Sequence, residues 1–332
     1  MTGDSYSMRR QQFLTEDFVQ HQIDRREKLL IAFAKELALP DTDKEGASLL
    51  HQALSGDHYE ALSLRYTAGQ PIGQLRPQIT NVIEAYERYQ KALAEYEEAP
   101  DMSPLGLDQL DDYERAMQII GLCVLMHRPD LLKRIAALID PGYKGEDTLY
   151  EDILAFYLTD RIELDEWYHE APYTPLIRAM YEEDDQIAAR LLNDYVNNWY
   201  PAFKYAPWHD GHLRTEGTDG DYFGYWAFEA GAVAYLCNID DSQITHMVYP
   251  KDLVAWAREY ATEYPQSAPV VHAQPHQSVP AGQPCPETGW WFTPAKADSR
   301  RYFKAGDVMP AISSDYGETL WQWAQDQSPP ML

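Results

Sequence analysis

Apolar residues recur with helical spacing along most of this chain. Phe13, Phe18, Ile23, Leu30, Phe33 and Leu37 predict a first helix over 13–39, with Thr15 placed to cap its start and Leu39-Pro40-Asp41 to end it. A second helical stretch runs from Asp43 to Tyr66, with Gly56 as its point of possible interruption. The third, 74–98, carries Ile79, Val82, Ile83, Tyr86, Tyr89 and Leu93 as one apolar stripe. A fourth over 107–126 contains the longest apolar run, Ile119 to Met126, which reads as a buried helix. Pro129 opens the next, to Ile139, at a position where its missing N–H costs nothing. Asp140-Pro141-Gly142-Tyr143 then reads as a firm break, dividing an N-terminal helical part (1–142) from a second one (143–265). In that second part helices are expected over Asp147–Leu158, near Leu164–His169, and over Thr174–Tyr181, Asp184–Tyr200, Tyr222–Cys237 and Pro250–Tyr264.

The pattern changes after residue 265. Pro265, Pro269, Pro275, Pro280, Pro284 and Pro286 forbid helix, so 266–286 reads as an extended linker within a C-terminal extension, 266–332. Two short aromatic stretches follow, Glu287–Pro294 and Tyr316–Trp323, and the second places Thr319, Trp321 and Trp323 on one face of a strand. Trp290, Trp291, Trp321 and Trp323 are too much apolar surface to leave in water, so the extension is expected to fold back onto the helices. The fold class expected is mainly α: a two-part antiparallel helical bundle or helical-hairpin array with a small β-containing tail packed on it.

Charge sharpens this picture. Across 332 residues, 53 acids face 27 bases, a net of −26. Such a surface repels nucleic acid and anionic membranes and draws in basic partners. The excess is local: from Glu146 to Asp185 thirteen acids are opposed only by Arg161 and Arg178. That density costs self-repulsion, which favours an interaction role over simple solvation. The N-terminus lacks the apolar core of a secretory signal, and no apolar run approaches the length of a membrane span, so the location expected is cytoplasmic. Three widely spaced cysteines, Cys123, Cys237 and Cys285, suit neither a disulfide frame nor a zinc site.

Candidate chemistry is sparse. Trp208-His209-Asp210-Gly211-His212, followed by Asp219 and Asp221, holds the residue types for metal binding or acid–base work, but its spacing matches no zinc motif. Glu229, inside an apolar helix, is either a perturbed base or a residue that anchors a loop through backbone N–H groups. Arg300 and Arg301 are placed to stack on Trp290 and Trp291. No nucleophile elbow, P-loop, dinucleotide fingerprint or zincin helix is present, so the expectation is a non-catalytic protein with no cofactor and no bound metal.

Tyr222–Ala234, Asp240-Asp241-Ser242 and Tyr249–Val254, with the paired helical architecture, resemble the PoNi-like bacterial immunity proteins. The tail, with Thr288–Trp291, Arg300–Pro310 and Trp321-Gln322-Trp323, looks like an element of immunity proteins of type VI secretion effectors. The resemblance implies a protein that binds a cognate toxin, typically a DNase delivered into the cytoplasm, and holds it inactive. A nuclease presents a basic groove to phosphate, and a dense acidic face competes for it. On charge, the expected contact comprises Glu163, Asp165, Glu166, Glu182, Glu183, Asp184 and Asp185, with Asp210, Asp219 and Asp221 nearby, and Tyr168, Tyr181 and Trp208 as aromatic anchors. Two other readings stand beside it: a helical adaptor of a secretion system, and a metal-dependent hydrolase built on the 209–221 loop.

Overall fold

The computed structural model describes residues 9–39, 43–265, 278–293, 295–296, 299–312, 319–324 and 327–328. Pro40, Asp41, Pro269, Pro275, Pro294 and Tyr316–Glu318 lie outside the described residues. Helix α1 covers Glu16–Leu37, and the Thr15 hydroxyl accepts the Phe18 N–H at 3.2 Å. Helix α2, Lys44–Thr67, passes through Gly56 without interruption. Short α3 (Ile72–Leu75) and one 3-10 turn lead into α4, Ile79–Glu97, whose predicted stripe is buried from Ile79 to Tyr89. Helix α5 is Leu110–Leu125 and α6 is Pro129–Tyr143.

The expected break at Asp140–Tyr143 comes one turn late, because α6 carries Pro141 within its last turn. A proline there forfeits only one intrahelical bond. Its neighbour Asp140 is held by the Arg161 guanidinium at 2.8–2.9 Å and by the Tyr150 hydroxyl at 2.7 Å. Nor does residue 142 divide the core. Helix α5 packs along α10, and one apolar cluster reaches from Leu14 to Ala324.

Helices α7 (Thr148–Ala155), α8 (Glu170–Tyr181), α9 (Asp185–Ala202), α10 (Phe228–Leu236) and α11 (Lys251–Glu263) follow. In two places a predicted helix is absent, for a shared reason: side chains from elsewhere take its backbone bonds. Leu164–His169 is irregular because Thr148 bonds the Leu164 and Glu166 carbonyls while Asp147 accepts the Tyr168 N–H. Residues 222–227 are extended, so α10 starts six residues late. There Ser63 and Thr67 donate to the Phe223 carbonyl, Gln11 accepts the Tyr225 N–H, and Gln118 bonds the Trp226 carbonyl. Gly224 makes this path possible: its φ is +115°, and a Cβ would sit 2.1 Å from the Thr67 hydroxyl.

The tail forms a four-stranded antiparallel sheet, β1 (Ser278–Pro280), β2 (Gly289–Phe292), β3 (Arg301–Phe303) and β4 (Leu320–Trp323), in the order β1-β4-β2-β3. Part of the expected linker is therefore strand. Alternation sorts the side chains. Trp291 and Trp321 turn to a small second core with Val279, Cys285 and Met309, whereas Phe292 faces the helices and meets the Tyr181 ring edge-on at 5.8 Å. Arg300 lies over Trp290 as expected, whereas Arg301 lies over Trp321 and not over Trp291.

Candidate functional site

Burial separates the acids of residues 146–185 into two populations. Asp147, fully buried, caps α7 through the Tyr150 N–H and accepts from the Tyr113 hydroxyl at 2.9 Å; burial raises its pKa to about 6. Glu151 is 1% exposed and forms a two-bonded ion pair with Arg161 at 2.7–2.8 Å. Asp152 accepts from the Tyr181 hydroxyl at 2.5 Å, and desolvation raises its pKa. Asp160 is exposed and pairs with Lys144 at 2.7 Å. These acids stitch α6, α7, α8 and the loop between them.

The predicted contact residues divide in the same way. Asp165 is buried and accepts from the Ser299 hydroxyl of the tail at 2.9 Å, and burial raises its pKa. Tyr181 is buried beneath Phe292, and its carbonyl faces the Gln322 amide at 3.4 Å. The tail thus covers both, and neither offers a surface to a partner. Their burial is a correction to the expected set. Tyr168 is half-buried with its hydroxyl on Glu146, and Glu163 is half-buried near Asp152 and Tyr181. Glu166, Glu183, Asp184 and Asp185 are exposed, and Glu182 half so. Asp184 caps α9 through the Gln186 and Ile187 N–H groups, and Asp185 sits in its first turn, where the helix dipole favours negative charge.

Trp208 and the 210–221 acids lie elsewhere, another departure from the expected grouping. Trp208 stacks on Trp199 at 5.2 Å, near the C-terminal end of α9. At 1.5 Å per residue the turn that starts α9 is about 22 Å away along the helix. Asp210 accepts from the Tyr200 hydroxyl at 2.7 Å, Asp219 is exposed in a tight turn bridged to Glu216, and Asp221 pairs with Arg214 at 2.7 Å. His209 stacks on Tyr200, while a His212 ring nitrogen meets the Tyr225 hydroxyl at 2.8 Å. Among the described residues no three His, Cys, Asp or Glu side chains converge as a metal site. Glu229 is fully buried and takes the Tyr195 hydroxyl at 2.6 Å, so it joins α10 to α9 instead of anchoring a loop; desolvation raises its pKa to about 8.

Trp208 and Asp221 do border an open groove of about 310 Å³. Its other walls are Glu60 of α2, Tyr86 and Tyr89 of α4, Asp111, Asp112, Glu114 and Arg115 of α5, and Phe223. Sequence reading missed this site. The only local signal is the run Asp111-Asp112-Tyr113-Glu114, which looks like ordinary acidic residues at a helix start.

Residues 145–253, from the residue pair after α6 into α11, match the family described as PoNe immunity proteins (PoNi), C-terminal. Over that stretch the chain resembles the PoNi immunity proteins. The matched stretch holds α7 to α10, hence both the acidic turns and the 207–223 loop, but not α5 or the tail. A crystal structure of protein PA2201 from Pseudomonas aeruginosa superposes on this chain with a TM-score of 0.59 at 19% identity, over 76% of this chain and 92% of that one. At that identity the likeness concerns fold alone. No curated protein matches the chain. No helix among the described residues is long and apolar enough to cross a membrane.

Proposed function

We propose that this chain is an immunity protein that binds a cognate toxin acting in the cytoplasm and holds it inactive by occlusion, without catalysis of its own. The match of residues 145–253 to the PoNi C-terminal family carries the reading. The net charge of −26 supports a partner with a basic face, for which a nuclease is the best candidate, since it must hold phosphate. Steering by opposite charge speeds capture, and Glu166, Glu183, Asp184 and Asp185 are exposed where they can supply it. Asp210, Asp219 and Asp221 extend that field at the other end of α9.

The test is co-expression with a candidate toxin, beginning with the products of neighbouring genes. Survival of cells that the toxin alone kills, with a co-purified complex whose association slows as salt rises, is the expected result. Continued killing with no complex removes the reading and favours the adaptor role.

A further inference from the structure

The far half of the hairpin formed by α1 and α2 lies outside the core. From Glu27 to Leu37 no residue of α1 is buried, although the stretch includes Leu29, Leu30, Ile31, Phe33 and Leu37. The central core takes up Leu14, Phe18, Val19 and Ile23 from this part of the chain and none of those five. Ile31 is 58% exposed, Leu39 just past the helix end is 55%, and Leu49 near the start of α2 is 58%. So much apolar surface at one end of a hairpin is characteristic of an interface. Charge distinguishes the occupants. Residues 25–54 hold five bases and five acids, a net of zero in a chain of −26. A basic toxin is drawn to the acidic faces, whereas a second copy of this chain is repelled from them and meets no net charge here.

The α1 sequence is also complementary to itself. Glu27, Ile31 and Lys35 follow at four-residue steps and so share one face, with the small exposed Ala34 and Ala38 beside them. Lys35 is exposed, and no ion pair reaches it among the described residues. The Glu27 side chain is 64% exposed and has the Arg65 guanidinium at 4.0 Å. Eight residues apart, Glu27 and Lys35 are about 12 Å from each other along the axis and cannot pair within one helix. An antiparallel pairing about a two-fold axis at Ile31 brings each Glu27 to the other copy's Lys35 and sets Ile31 against Ile31. We propose that the outer face of α1 is a self-association surface, through which two copies of this chain form an antiparallel homodimer. The inference is independent of the immunity reading and needs no toxin to test. A face this small, set against the mutual repulsion of two acidic chains, gives association in the micromolar range.

Sedimentation equilibrium of the full-length chain across the micromolar range tests this. The wild type is expected to pass from monomer to dimer as concentration rises. Ile31→Asp is expected to stay monomeric with its fold intact by circular dichroism, since Ile31 contributes nothing to the core. Glu27→Lys and Lys35→Glu are each expected to weaken dimerisation about 5- to 10-fold, because each sets like charges opposite one another twice over. Combined in one chain they restore opposite charges across the axis, and affinity should return to within about twofold of wild type. A role of either residue within its own chain cannot produce that rescue. A wild type that is monomeric throughout, a dimer untouched by Ile31→Asp, or a double variant no tighter than the single ones overturns the proposal. Binding of a monomeric wild type to phosphatidylglycerol vesicles, lost in Ile31→Asp, would also overturn it and assign the face to a membrane.

Discussion

Two acidic regions of this molecule behave in opposite ways. The stretch from Glu146 to Asp185 is dense in acid along the chain, yet Asp147, Glu151 and Asp165 are buried and Asp152 is bonded to Tyr181. The groove draws Glu60, Asp111, Asp112, Glu114 and Asp221 from three distant parts of the sequence and sets Glu114 beside Arg115 and the Gln118 amide. Charge density in sequence is therefore a poor guide to charge offered to a partner. An acid inside a tertiary network has its field cancelled locally, whether sequence or packing brought it there, and only an exposed acid keeps its field for a partner.

The sharpest way to break the comparison is to remove the cation at the centre of the first region. Arg161 is 3% exposed and holds Asp140 and Glu151 together. Arg161→Ala leaves Glu151 buried and unpaired, and is expected to lower stability by about 3–5 kcal/mol in urea unfolding. Adding Glu151→Gln to that variant is expected to recover part of the loss. A loss near that of an exposed ion pair would mean that these acids are solvated after all.

Next in size is Glu229, an acid of the core that belongs to neither region. Its pKa is raised from 4.5 to about 8. Between those values the unfolded chain gives up the proton while the folded one keeps it, so stability is full below the lower value and falls as pH rises through the upper one. Glu229→Gln keeps an acceptor for the Tyr195 hydroxyl and cannot ionise. It is expected to flatten that decline, leaving the variant more stable than wild type at alkaline pH by up to about 4 kcal/mol, as thermal melts across the pH range would report. An identical decline in both proteins would assign the titration to another group.

Much of the fold was legible in the chain, for reasons that particular elements make plain. The stripe Ile79 to Tyr89 and the run Ile119 to Met126 bury as their periodicity requires, and Thr15 caps where its hydroxyl predicts. Residues 222–227 misled because an apolar run says only that a segment is buried. Whether its backbone bonds itself or Ser63, Thr67 and Gln118 is a tertiary matter. The candidate site failed in the same way. Asp165 looked like part of an acidic face, yet Ser299, from the tail, decides its burial. The groove's acids are ordinary one by one, and only the packing of α2, α4 and α5 against the 207–223 loop collects them.

A smaller test concerns where the tail meets the first region. Ser299→Ala removes the hydroxyl that lies within donating distance of Asp165 and the Thr293 carbonyl and that accepts the Thr293 N–H. The expected cost is about 1–3 kcal/mol, since Asp165 stays buried with an acceptor unmet. Hydrogen exchange in β2 and at α8 should speed up together if the tail is docked through this bond. Faster exchange in β2 alone would show that the tail holds by its aromatic contacts.

The smallest effect on stability, and the one that separates the regions most cleanly, is expected at Glu183. It is exposed, and neither cap bond of α9 depends on it, since Asp184 makes both. Glu183→Gln should change unfolding free energy by no more than about 0.5 kcal/mol. Under the immunity reading it should also slow association with the toxin modestly, by less than about threefold, with the difference vanishing at high salt and dissociation unchanged. A screened acid on the rim changes how often the partners meet, whereas a desolvated one in a cavity changes how long they stay together. Slower association that persists at high salt, or faster dissociation, would place Glu183 in the desolvated contact and not in the steering field.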